Sequence, residues 1–139
     1  MREQEIINAV TSVMEQLKTQ ETPPARRSGR MTLALAEALI ARVKEKAAQM
    51  GVRAVVAVSD ASARPVAVHC MDDAYIASFD IALNKTYTSA SLKMSTSKLG
   101  ELSQPGQPLY GVQFTNGGRI VIFGGGEVLE LGGEVVGAL

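Results

Sequence analysis

The chain is predicted to fold as an α+β sandwich, a β-sheet flanked by helices, and three observations lead there. Apolar residues recur at helical spacing over Met31–Met50 and Tyr75–Met94; a β-branched hairpin lies between these segments; and a glycine-punctuated meander closes the chain. Its 139 residues, 46% apolar and 20% charged, suit one globular core with an appendage. Fourteen basic residues against 14 acidic leave no net field to attract nucleic acid or an anionic membrane, so neither is expected as a partner. The longest apolar runs, AVVAVS and RIVIFGGG, fall short of the roughly 20 residues that cross a bilayer. MREQEIINAV has no apolar stretch of signal-peptide length, and Cys70 is the single cysteine, so a cytoplasmic, reducing location without an intrachain disulfide is expected.

Residues 1–18 place Ile6, Val10, Val13, Met14 and Leu17 on one helical stripe, with Glu3, Asn8, Ser12, Glu15 and Lys18 opposite. Residues 19–30, TQETPPARRSGR, break that period with Pro23-Pro24, Gly29 and three arginines and are predicted to be a linker. Three segments follow from this reading: a separate amphipathic helix over 1–18, the linker over 19–30 and a domain over 31–139. The domain opens with a helix over Met31–Met50, with Thr32 as N-cap, Leu35, Leu39, Val43 and Ala47 as buried stripe, and Gly51 as its stop.

Val52–Val58 and Val66–Met71 then form an antiparallel hairpin across SDASAR. On its second strand Val66, Val68 and Cys70 share one face while Ala67, His69 and Met71 share the other. From Tyr75 to Met94, Ile76, Phe79, Leu83, Tyr87, Ala90 and Met94 form the stripe expected against the core, leaving Asn84, Thr88, Ser91 and Ser95 to face a ligand or partner. Asp72 and Asp73 are candidate N-caps for this helix. A shorter helix over Ser95–Leu102 stops at Gln104-Pro105-Gly106. Strands over Arg119–Phe123, Glu127–Leu131 and Val135–Leu139 end the chain, with Gly132-Gly133 as a hairpin turn.

Signatures of nucleotide binding and hydrolysis are absent: there is no GxGxxG, P-loop, GxSxG or paired histidine motif. Gly124-Gly125-Gly126 lacks the Lys-Ser/Thr of a phosphate cradle and reads as a tight turn or close backbone packing, or else as bare backbone open to a ligand. His69-Cys70-Met71 is the one cluster of soft ligands, each a side-chain type that serves heme iron axially; only His69 and Met71 share a strand face. The rival reading is a strand histidine without ligand role beside core filler. No CxxCH is present, so covalent attachment is excluded. Lys85 and Thr88, one turn apart beside Asn84, suit a propionate or phosphate, or else a solvated helix face. Tyr110 and Asn116 lie in loops, where binding groups gather; Tyr110 offers ring stacking or a phenolate ligand, or a plug for the core. With one histidine and no nucleophile–base pair, any catalysis would need a cofactor to supply the reactivity.

Five phrases in order, RAVVAVSDASARPVAVH, MDDA, ALNKTYTSAS, QPGQPLYG and NGGRIVIFGGGEVLELGGEVVGA, resemble the heme-binding family of GlcG, HbpS and the C-terminal domain of PduO. The resemblance implies a five-stranded antiparallel sheet flanked by helices, assembled into dimers or rings, and a non-covalent heme with His69 as metal ligand and Met71, Lys85, Thr88 and Tyr110 as cofactor contacts. It implies an accessory redox or cofactor-handling role, with cobalamin binding or cofactor chaperoning as one alternative and a structural module without cofactor as another. Its members usually continue beyond the equivalent of GGEVVGAL into a final helix, which this sequence does not contain; either oligomerisation or the N-terminal segment is expected to cover the sheet instead, or the domain is less stable than its relatives. Residues 1–18 also look like the encapsulation peptides of bacterial microcompartments, so a shell or cargo protein is an expected partner and the compartment lumen an expected location.

Overall fold

The computed structural model describes residues 3–19 and 30–139, without the side chains of residues 17–19. Most of the linker expected over 19–30 therefore lies outside the described residues, as does the Leu17 side chain.

Helix α1 spans Glu3–Thr19 and α2 spans Leu33–Gln49. Thr32 caps α2 as expected, its hydroxyl accepting from the Leu35 N–H at 3.1 Å, and Gly51 ends the segment with φ +71°. The first helix, expected as an element separate from the domain, packs on α2. Val10, Val13 and Met14 are buried in one cluster with Leu39, Ile40 and Val43 of α2, because a short apolar stripe is stable only when covered.

Strands β1 (Val55–Asp60) and β2 (Pro65–Cys70) pair antiparallel, with Val56 opposite His69. The turn is shorter than SDASAR suggested, because the Asp60 carboxylate accepts from the N–H groups of Ser62 and Arg64 and holds the chain in a tight return. Strands β3 (Val128–Leu131) and β4 (Glu134–Ala138) form the second hairpin through Gly132-Gly133, and the sheet runs β2-β1-β4-β3. Among the described residues four strands pair, not five. The run Arg119–Phe123 expected as a strand joins no ladder among the described residues. Its backbone finds a side-chain partner instead: the Val121 N–H donates to Thr88 Oγ1 at 3.0 Å.

Helix α3 spans Ser78–Leu92 and α4 spans Thr96–Leu102 with Ser95 as N-cap. β1 is buried along its middle: Val56 and Val58 pack into the α1/α2 cluster, and the alternate residues face α3, so helices cover both sheet faces. The orientation of α3 departs from expectation in part. Thr86, Thr88 and Ser89 are buried, whereas Ile76 is 97% exposed, Tyr75 85% and Phe79 44%; of the stripe predicted for the core, Ala90 alone is buried. Thr88 serves the 119–126 segment, accepting from the Val121 N–H, whereas Thr86 bonds the Leu83 carbonyl of its own helix and Ser89 Oγ finds no partner among the described residues. Asp72 and Asp73 cap nothing, because α3 begins later with Ala77 at its N-cap position and no side-chain cap.

Two measurements check this packing. Met14→Ala is expected to cost about 2–5 kcal/mol in urea unfolding if α1 belongs to the core, and nothing if it is detached. Thr88→Val leaves the buried Val121 N–H without its acceptor and is expected to cost about 1–3 kcal/mol; an unchanged midpoint would contradict this placement of α3.

Candidate functional site

The site arises where the sheet opens. β1 and β4 pair only at Ser59–Ala138 and Asp60–Gly137. They meet closely there, since a Cβ on Gly137 would lie 2.0 Å from the Ser59 carbonyl oxygen. Beyond those pairs Leu139 bonds back to Glu127, with N–H to carbonyl distances of 2.9 and 2.7 Å, and β1 diverges from it. A slot of about 190 Å³ lies in the gap, with Ile6, Val43 and Leu139 among its apolar walls and Ile81 and Ala82 of α3 facing them.

Lys85 is the one charged side chain lining the slot among the described residues. Its Nζ donates to the Gly124 carbonyl at 2.9 Å and sits 4.7 Å from the centre of the Phe123 ring. Burial holds the ammonium below its ordinary pKa. The neighbouring Glu127 is pushed above its ordinary value by burial and then by the negative charge of Glu3, and its Oε1 has no hydrogen-bond partner among the described residues. At Gly126 a Cβ would fall 2.7 Å from the Thr96 methyl and 2.9 Å from Ser89 Oγ, so Gly124-Gly125-Gly126 is close backbone packing. Thr96 clasps it twice: Oγ1 accepts from the Gly126 N–H at 2.9 Å, and the Thr96 N–H donates to the Gly126 carbonyl at 3.0 Å.

The five residues singled out from the sequence do not converge. Lys85 and Thr88 both hold the 119–126 segment, but the Thr88 hydroxyl is fully buried, 2.7 Å from the Asn84 carbonyl and 3.3 Å from that of Arg119, with no group left for a ligand. His69 faces α2, with Nε2 2.9 Å from Glu37 Oε2 and Nδ1 2.9 Å from Lys44 Nζ. An ammonium only donates, so Nδ1 accepts and the ring proton points to Glu37; either nitrogen must leave a partner before it binds a metal. Met71 Sδ lies 3.4 Å from the Ala54 N–H, and Tyr110 is 67% exposed on a loop. No group of three or more metal-ligating side chains occurs among the described residues. Sequence reasoning missed Phe123 and the Glu3–Glu127 pair: an aromatic directly before three glycines was the available signal for the first, and nothing local marks the second.

The model for "Haem degrading protein HbpS-like" matches residues 31–139. The chain belongs to this family. It is 43% identical over 109 residues to an uncharacterized 15.0 kDa protein from the dhaT-dhaS intergenic region of Citrobacter freundii, covering 78% of this chain and 77% of that one. It is 36% identical over 95 residues to the corrinoid adenosyltransferase PduO of Salmonella typhimurium, covering 68% of this chain but only 28% of PduO. Among solved structures it resembles Klebsiella pneumoniae ORFY, with 38% identity, a TM-score of 0.77 and coverage of 86% and 82%. It also resembles a PduOC–heme complex, with 25% identity, a TM-score of 0.67 and coverage of 96% and 76%. No helix among the described residues of this HbpS-like chain is long and apolar enough to cross a membrane.

The two perturbed groups carry opposite pH signatures. The unfolded chain binds more protons at Lys85 between its lowered folded pKa and the ordinary 10.5, so stability is expected to rise with pH across that window. At Glu127 the folded chain binds more protons between 4.5 and its raised value, so stability rises as pH falls through that window. Urea midpoints measured across pH should lose the alkaline slope in Lys85→Met and the acid slope in Glu127→Gln; slopes that survive would assign them to other groups.

Proposed function

We propose that this HbpS-like chain is a non-covalent heme-binding accessory protein with a redox or cofactor-handling role. The observation that carries the reading is a lone, partly buried lysine in an apolar slot beside an exposed aromatic, in a chain whose fold matches a heme complex. A slot of about 190 Å³ lies below the roughly 300–1,000 Å³ of ordinary small-molecule sites, so it does not enclose a whole macrocycle. The residues fit an edge-on arrangement: Lys85 offers a charge-assisted bond to a propionate, and the half-exposed Phe123 offers a face to the ring. Heme, when bound, supplies one-electron iron chemistry. The chain would hold a carboxylate at Lys85 Nζ and keep water from it with Ile81 and Leu139, while His69, Met71 and Tyr110, which do not line the slot, would be the candidate donors to the iron.

A corrinoid is the second reading, favoured by the match to part of an enzyme named corrinoid adenosyltransferase. Association with a microcompartment through residues 1–18 belongs to the same proposal. It requires α1 to leave α2, since the apolar residues that would dock elsewhere are those buried there.

Titration with hemin, and separately with cob(II)alamin, tests the ligand. A Soret band that saturates with hemin, weakens in Lys85→Met and shifts in His69→Ala with unchanged far-ultraviolet circular dichroism is the expected result. Unchanged hemin spectra in His69→Ala would pass the axial role to Tyr110 or Met71, a response to cobalamin alone would favour the corrinoid, and no response to either would leave a structural module.

A further inference from the structure

We propose that Lys85 is a nucleophile whose amine condenses with a small, uncharged aldehyde in the slot to form an imine. Ser78, Ile81, Ala82 and Lys85 all line the slot and stand at positions i, i+3, i+4 and i+7 of α3, so one stripe of the helix walls it and ends in the amine. The other wall is apolar, with Val43 and Leu139. Gly125 makes room for the nitrogen: a Cβ there would lie 2.6 Å from Lys85 Nζ, so the amine rests on bare backbone. Among the described residues Lys85 is the one charged side chain lining the slot, and it forms no ion pair.

A lysine desolvated in an apolar pocket suits imine chemistry, because only the free amine carries the lone pair that attacks a carbonyl. Burial favours that free amine here. The carboxylates at this end of the slot, Glu3 packed on Gly124 and Glu127 beyond it, make no ion pair that would keep the nitrogen charged. In the reaction the amine lone pair forms the C–N bond while the carbonyl π pair moves to oxygen, and a proton passes from nitrogen to that oxygen. The hydroxyl then leaves as water with the proton that the ammonium had given up. An ammonium and an aldehyde thus become a protonated imine and water, with nothing oxidised or reduced. The product keeps a positive N–H for the Gly124 carbonyl, 2.9 Å from Nζ, and for the Phe123 ring, 4.7 Å away. Apolar walls disfavour the returning water that would reverse the step. Since the slot's one cation becomes the nucleophile, no group remains for a substrate carboxylate, and about 190 Å³ limits the substrate to a small molecule. Holding a propionate needs the ammonium and imine formation the free amine, so the two ligands exclude each other.

Reductive trapping of the whole chain with butanal and cyanoborohydride at neutral pH, without hemin, followed by peptide mass mapping, tests it. Lys85 is expected to take the butyl group roughly tenfold or more faster than the exposed Lys93. Its rate should saturate with butanal, because binding precedes reaction in the slot, whereas that of Lys93 should rise in proportion. Lys85→Arg keeps the charge and removes the nucleophile, so it should abolish the saturable label with unchanged far-ultraviolet circular dichroism. Since no hemin is present, failure of trapping speaks against the aldehyde alone and leaves the Soret titration to decide on heme. Labelling of Lys85 no faster than Lys93, a rate that never saturates, or a saturable label that survives in Lys85→Arg would each overturn the proposal.

Discussion

The hydroxyl of Thr88 and the clasp of Thr96 hold the 119–126 segment to the rest of the domain, and much else follows from that requirement. The segment joins no strand, yet Ile120, Val121 and Gly126 are buried. Buried backbone N–H and C=O groups must find partners. Val121 finds Thr88, Gly126 finds Thr96 in both directions, and the Gly124 carbonyl finds Lys85. Each bond contributes only about 1 kcal/mol net, but leaving one unmade costs about 1–3. The clasp also demands close approach, and the absence of a side chain at Gly126 permits it.

That demand sets the turn of α3. With Thr88 held against the segment, Leu83 and Tyr87 are left half-buried and Phe79 is 44% exposed. The same turn brings Lys85 to the sheet opening. Since β1 and β4 share only two residue pairs, the opening is lined by apolar side chains and holds one cation. Burial disfavours that cation, and a Gly124 carbonyl with the Phe123 ring offsets the loss only in part. A carboxylate entering the slot would replace a dipole by a full opposite charge at the same nitrogen. The cost of keeping Lys85 there is thus what would favour an anionic, largely apolar ligand in the proposed reading.

What could be read beforehand divides along this line. Helices α2 and α4, the cap Thr32, the stop at Gly51 and the turn at Gly132-Gly133 were legible because each depends on residues within a turn of one another. The orientation of α3 was not. Apolar periodicity assumes that a helix packs on side chains, and α3 packs on backbone thirty and more residues away. The supposed strand Arg119–Phe123 failed for the complementary reason: its β-branched residues are buried without pairing. His69 was rightly placed on a strand face with Ala67, but its neighbours Glu37 and Lys44 come from α2, which no local pattern reveals.

These positions also explain why membership of the HbpS-like family says more about architecture here than about a ligand set. The clasp residues act through small hydroxyls and missing side chains, so their geometry is set once the backbone is set. The prospective ligands act through long side chains already engaged: His69 with Glu37 and Lys44, Met71 with a backbone N–H, Lys85 with a carbonyl. Binding at any of them exchanges an existing contact for a new one, and the net gain is the difference between the two. Lys85 gains most from such an exchange, because it trades a neutral acceptor for a charged one inside an apolar wall. His69 gains least, because imidazole–metal bonding has to break a contact with a carboxylate or an ammonium at a surface where water competes. For a ligand of the proposed kind, the inward side of α3 would therefore gain more from binding than the β2 edge.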